Sequence, residues 1–174
     1  MNNKPKLLYE KYKELVFNVA LHYTQNIEDA EEITQDVFIS IFENIKDFRE
    51  ESTLKTWAYR ITINKSLDFL KSKKRLKRIF FFKSLKIDDQ EKKISIPEIN
   101  HPGVILENKE SVNAIFNSIN KLPSKLKTVI ILLKIEGKSQ KETAKIMQLS
   151  VKAIESLFQR AKKKLAVILK DNEI

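Results

Sequence analysis

Cysteine is absent from the 174-residue chain. That removes disulfides, thiolate metal sites and a thiol nucleophile together. Histidine is scarce: His22 and His101 stand alone, too few for a histidine-built metal centre. The chain has only two glycines and four prolines, whereas an all-β fold needs turn residues every few positions. Long apolar runs are missing too. The most sustained, from Val129 to Leu133, falls far short of the roughly 20 residues that cross a bilayer. No apolar signal core follows the opening Met-Asn-Asn-Lys-Pro-Lys, so the chain is expected in the cytoplasm without membrane insertion. No residue set supports catalysis, and neither metal nor cofactor is expected. What the chain does have is apolar content of 42%, charged content of 32% and a net charge of +10. The first two suffice for packed cores; the third points to a polyanionic partner.

The stretch from Glu136 to Leu165 carries the sharpest local signal. Gly137 can stop a helix, and Ser139 with Glu142 forms a capping box that starts the next. Ala144, Ile146 and Met147 give that short helix an apolar side. Gln148-Leu149-Ser150 is a break, with Ser150 as the following N-cap. Val151, Ile154, Leu157, Phe158 and Ala161 then share one helical face, and Lys152, Glu155, Ser156, Gln159, Arg160 and Lys163 the other. Together these segments predict a helix-turn-helix whose second helix enters a DNA major groove. The competing reading is a plain helical hairpin with a solvated charged face.

Upstream, Leu8, Tyr12, Leu15, Val16, Val19, Ala20 and Tyr23 predict a helix over 5–24, with His22 at the edge of its core. A second helix, about 28–46, starts acidic. From 28 to 51 there are nine acids against two bases, Lys46 and Arg49. Ile33, Val37 and Ile41 make one apolar face, while Phe38, Ile39, Phe42 and Ile45 spread beyond it. An acidic surface with extra apolar groups suits a protein partner and would repel DNA. Ser52 or Thr53 can cap a third helix that runs to about Arg78. Trp57, Ile61, Leu67 and Leu70 supply its inward face. Trp57, Tyr59, Arg60, Thr62, Asn64 and Lys65 mix aromatic, amide and cationic groups, a set suited to unpaired bases and their backbone. Trp57 is expected in the core; Tyr59 reads equally well as core or as a stacking surface. Lys71 to Lys86 holds eight bases and no acid, which reads as a phosphate-contacting surface. Phe80-Phe81-Phe82 within it either docks the helix end or meets a partner.

Residues 84–103 lack helical periodicity and contain Pro97, Pro102 and Gly103. They read as a flexible linker reaching at most about 65 Å if extended. Beyond it, Val112, Ile115, Phe116 and Ile119 mark a helix that Leu122-Pro123 breaks. Leu126, Val129, Ile130 and Leu133 carry another to Gly137. The expected fold is therefore all-α: two small helical domains, 1–83 and 104–174, the second a four-helix helix-turn-helix domain, joined by the 84–103 linker.

Both halves resemble one family, the extracytoplasmic-function (ECF) sigma factors of bacterial RNA polymerase. Asp29-Ala30-Glu31-Glu32-Ile33-Thr34-Gln35-Asp36-Val37-Phe38 is similar to one family motif. Phe48-Arg49 followed by Thr56-Trp57-Ala58-Tyr59-Arg60-Ile61-Thr62-Ile63-Asn64 is similar to a second. Leu122-Pro123 and the run from Glu136-Gly137-Lys138-Ser139 to Arg160-Ala161-Lys162 resemble a third. The resemblance implies a subunit that directs promoter recognition and melting. Glu32, Gln35, Asp36, Ile39 and Phe42 would bind the β′ clamp helices of core RNA polymerase, with the β flap as a further contact. Phe48, Arg49, Ser52, Lys55, Tyr59, Arg60, Asn64, Lys65 and Lys71 would meet the −10 element. Ser150, Lys152, Ala153, Glu155, Ser156, Gln159, Arg160 and Lys163 would read the −35 element. The partners implied are core polymerase, promoter DNA and an anti-sigma factor. Two positions depart from the pattern: Gln148 stands where glycine is common, and Glu155 where a base is. A stand-alone helix-turn-helix regulator would explain 139–165 equally, but not the acidic second helix. A basic RNA-binding or scaffold protein using 57–86 would leave the capped C-terminal unit unused.

Overall fold

The computed structural model describes residues 4–48, 53–84 and 109–171. Among them are seven α-helices and no strand. In chain order these are α1 (Lys4–Thr24), α2 (Ile27–Asn44), α3 (Leu54–Ser84), α4 (Lys109–Asn120), α5 (Ser124–Ile130), α6 (Gln140–Met147) and α7 (Val151–Asp171). Of the linker expected at 84–103, Ser84 instead ends α3 and the rest lies outside the described residues, as do the side chains of Phe81 and Phe82.

The helix boundaries follow local chemistry. Asn26 caps α2, its side chain accepting from the Asp29 N–H at 2.8 Å, and Glu28 and Asp29 place negative charge at the positive end of the helix dipole. Thr53 Oγ1 accepts from the Thr56 N–H at 3.2 Å and so caps α3. At α6, Ser139 Oγ accepts from the Glu142 N–H at 3.2 Å while Glu142 accepts from the Ser139 N–H at 2.8 Å. This reciprocal box satisfies two donors that the helix leaves free. The backbone bond from Ser139, followed by its hydroxyl, holds the Glu142 carboxyl below its ordinary pKa. Ser139→Ala should cost about 1 kcal/mol of stability by removing the cap. Thermal unfolding with unchanged midpoint would show that the box is dispensable.

Pro123 sits just before α5, at the break expected there. One local feature differs from expectation: α5 does not run as α-helix to Gly137 but opens into a π turn, Ile131–Ile135. There the Glu136 N–H bonds to the Ile131 carbonyl at 2.8 Å, and the Lys138 N–H closes back on Leu132 at 2.8 Å. Gly137 takes the positive φ of 61° that this closure requires. Gln148 adopts the left-handed conformation at the end of α6, φ 55° and ψ 45°, without being glycine. That costs about 1 kcal/mol, and the helix-turn-helix bend is made despite it.

Three clusters form the interior. Val16, Ala20, Ile33, Val37, Phe38, Ile41 and Ala58 join α1, α2 and α3. Val129, Ala144 and Ile154 join α5, α6 and α7. The third cluster crosses between the halves. It packs Val19, Tyr23, Tyr59 and Ile63 against Phe116, Ile119, Leu126, Ile130 and Ile131. The two helical groups therefore share a core in this structure. Sequence reasoning expected two domains joined by a flexible linker and identified no contact between them.

Candidate protein-binding and nucleic-acid surfaces

On α2 the inward set is Ala30, Ile33, Val37, Phe38 and Ile41. That leaves Glu32, Gln35, Asp36, Ile39 and Phe42 together on the outside. Ile39 is 55% exposed and Phe42 38%. Two large apolar groups beside carboxylates on one uncovered helix face are what a protein partner would bury. At the upper edge of this face a 400 Å³ groove opens between Tyr9, Lys13 and Phe17 of α1 and Glu31, Thr34 and Gln35 of α2.

The candidate −10 residues are divided by the fold. Arg49 and Ser52 lie outside the described residues. Phe48 is partly exposed and packs its ring at a tilt against Trp57, ring centroids 5.2 Å apart. Trp57 packs against the N-terminal cluster, as expected of a core residue. Lys55, Asn64 and Lys71 are exposed and Lys65 half-buried. Tyr59 is only 3% exposed. Its hydroxyl donates to Glu136 Oε2 at 2.8 Å, and Lys138 Nζ sits 5.1 Å from its ring. Arg60 Nη2 donates to the Lys145 carbonyl at 2.7 Å. A role for Tyr59 on bases requires an accessible ring, and here the C-terminal helices cover it.

The −35 candidates are placed together. Ser150 Oγ accepts from the Ala153 N–H at 3.1 Å and starts α7. Ile154 and Ala161 are buried, which turns Lys152, Glu155, Ser156, Gln159, Arg160 and Lys163 outward, with Ala153 half-buried at their edge.

Sequence reasoning missed the polar contacts between the halves. His22 Nδ1 and Glu136 Oε1 stand 2.9 Å apart. Tyr23 donates to Thr128 Oγ1 at 2.7 Å, and Lys127 Nζ donates to the Tyr23 carbonyl at 2.9 Å and to Asn120. Burial, the largest single influence on Glu136, pushes its pKa up. The bonds from His22 and Tyr59, with the charges of His22 and Lys138, outweigh it and leave the carboxyl below its ordinary value. Burial first, and then the Glu136 carboxylate, push the Tyr59 phenol up. Burial, with Lys74 nearby, lowers Lys127 from 10.5 to about 8. No sequence signal marks the pairs that cross between the halves, because His22 and Glu136, Tyr23 and Thr128, and Tyr23 and Lys127 are each more than a hundred positions apart.

The Lys127 shift gives a pH dependence. Below about pH 8 its ammonium is present both folded and unfolded, and the folded chain bears the full burial cost. Between about 8 and 10.5 the unfolded chain binds more protons, so stability rises with pH. We expect a gain on the order of 1–2 kcal/mol by pH about 9.5. Lys127→Met should flatten that rise in denaturant titrations. An identical rise in the variant would assign the effect elsewhere.

Residues 8–76 match the Sigma-70 region 2 family and residues 113–165 match Sigma-70 region 4. The sigma-E factor of Haemophilus influenzae is 28% identical over 156 residues, covering 90% of this chain and 82% of its own. The SigW factor of Bacillus subtilis is 29% identical over 164 residues, covering 92% and 86%. In fold, the chain is similar to CnrH, solved with the cytosolic domain of CnrY (TM-score 0.66, 21% identity, 98% and 90% coverage). It is also similar to RpoE of Bartonella quintana, solved with the anti-sigma factor NepR (TM-score 0.63, 20% identity, 97% and 98% coverage). An all-α chain with regions 2 and 4 in this order is a sigma factor, a subunit that binds core RNA polymerase and promoter DNA and directs transcription initiation. The chain belongs to the ECF sigma factors. Among the described residues no helix is long and apolar enough to cross a membrane.

Proposed function

We propose that the three surfaces divide the work of initiation. The exposed face of α2, with Glu32, Gln35, Asp36, Ile39 and Phe42, docks on the β′ clamp helices. Phe48, Arg49, Ser52, Lys55, Tyr59, Arg60, Asn64, Lys65 and Lys71 meet the −10 element and help unpair it. The outward face of α7 reads the −35 element, with the β flap contacting the same module. Residues 1–83 and 104–174 are the working units and 84–103 the tether. The chain is non-catalytic and cytoplasmic; nucleotide chemistry belongs to core polymerase. RpoE and CnrH were each solved with a partner, NepR and the cytosolic domain of CnrY, and an anti-sigma factor is proposed here too.

The observation that carries this reading is the separation of charge by helix. The acidic residues gather on α2 with exposed Ile39 and Phe42, and the bases on α3 and α7. Extruding a base costs a few kcal/mol. Contacts to duplex upstream and to polymerase supply what a small basic helix alone could not. The test is permanganate reactivity of thymines around the −10 element in reconstituted holoenzyme. Asn64→Ala should bind the promoter yet open it several-fold less. Full opening by that variant and by Lys65→Ala would remove α3 from the melting step.

A further inference from the structure

The end of α3 extends past the packed core. Phe69 and Leu70 are the last residues of that helix packed against a core cluster. Lys73 donates to Asp29 and so ties α3 to the start of α2. From Lys74 to Phe80 every residue is exposed. A helix end surrounded by water is ordinarily polar on every side, but this one is two-sided. Leu76, Ile79 and Phe80, at helical spacing on one side, are 51%, 54% and 67% exposed. Lys71, Lys74, Arg75, Lys77 and Arg78 are exposed around the rest of the helix. The stretch from Lys71 to Lys86 contains no acid.

Three kinds of partner fit this surface unequally. Duplex DNA accounts for the bases alone: its phosphates attract Lys and Arg but leave Leu76, Ile79 and Phe80 in water. A second copy of the chain would bury the apolar side, yet it would bring two sets of bases together, and like charges repel. An anionic bilayer surface satisfies both sides at once. The apolar side sinks into the boundary between headgroups and acyl chains. The bases meet the negative surface potential, with their stems along the apolar surface and their charged heads among lipid phosphates.

We propose that the end of α3, residues 71–80, is a docking surface for an anionic membrane. The helix lies in the interface plane. It does not cross the bilayer, since among the described residues no helix is long and apolar enough to do so. The bases that would hold lipid are those available to DNA phosphates, so anionic lipid and DNA compete for this helix end. The competition, unlike the docking itself, rests on the proposed use of the α3 bases on DNA.

Co-sedimentation of the full chain with vesicles tests it. Vesicles of phosphatidylglycerol and phosphatidylethanolamine should bind the chain, and phosphatidylcholine vesicles should bind it at least about tenfold less tightly. The deciding variant is Leu76→Ser with Phe80→Ser, which keeps every base. It should lose roughly tenfold or more in affinity for the anionic vesicles while binding random-sequence duplex DNA as the parent chain does. Lys77→Gln with Arg78→Gln should weaken both interactions. Equal binding to neutral and anionic vesicles, or unchanged vesicle affinity in the serine variant, would overturn the proposal. So would vesicle binding that survives the serine substitutions while self-association or core polymerase affinity is lost, which would give the apolar side to a second copy or to polymerase. Failure of the DNA reading looks different: excess duplex would then leave the chain on anionic vesicles, and the docking would stand.

Discussion

Replacing Gln35 and Asp36 together by lysine should abolish binding to core polymerase, weakening it at least about a hundredfold. Both side chains lie on the uncovered side of α2, beside exposed Ile39 and Phe42. Two added positive charges change the sign of the patch where an apolar interface would need to close. An unpaired charge buried on docking costs several kcal/mol, whereas on a solvated helix face the same change costs at most about 0.5 kcal/mol of fold stability. The expected pattern is thus lost co-elution with core polymerase, unchanged far-ultraviolet circular dichroism and unchanged melting temperature. Phe42→Ala should weaken the same interaction by a smaller factor through lost apolar contact. Undiminished core affinity in the double lysine variant would remove α2 from the interface.

The second large effect is of salt on promoter binding by the holoenzyme. The outward face of α7 carries Lys152, Arg160 and Lys163, and α3 carries exposed Lys71, Lys74, Arg75, Lys77 and Arg78. If this chain neutralises about six phosphates, log K falls against log[salt] with a slope near −5. Raising salt from about 50 to about 200 mM should then cost about a thousandfold in affinity attributable to its contacts. Arg160→Ala should make the slope shallower by about one. Glu155 is exposed on the same face as Lys152, Arg160 and Lys163; in a groove it would accept from a cytosine amine but repel phosphate. Glu155→Gln should therefore raise overall affinity while relaxing base preference at one position. A slope near zero would contradict the basic-surface account.

How much of this was legible in the sequence depended on the range of the interaction. Ser139 with Glu142, Ser150 before Val151, and Thr53 before Leu54 are local, and each cap formed as the residue types predict. The sidedness of α2 was legible as an excess of apolar residues, and burial then separated Ile33 and Val37 from Ile39 and Phe42. The π turn after Ile130 was not legible: nothing in Ile-Leu-Leu-Lys-Ile distinguishes a widened turn from a regular one, and its consequence is where Glu136 points. His22 read as a core-edge residue because its partner, Glu136, lies in the other half of the chain. Tyr59 could not be decided from spacing. Its burial comes from α5 and α6 closing over α3, a non-local contact that helical periodicity does not encode.

The most direct measurement is run-off transcription with purified core RNA polymerase on DNA from upstream of this protein's own gene. The account predicts that core alone gives no discrete transcript, that adding the chain gives one, and that the Gln35→Lys, Asp36→Lys variant gives none. A chain that binds that DNA but neither co-elutes with core nor yields a transcript would contradict the account and leave a stand-alone helix-turn-helix regulator in its place.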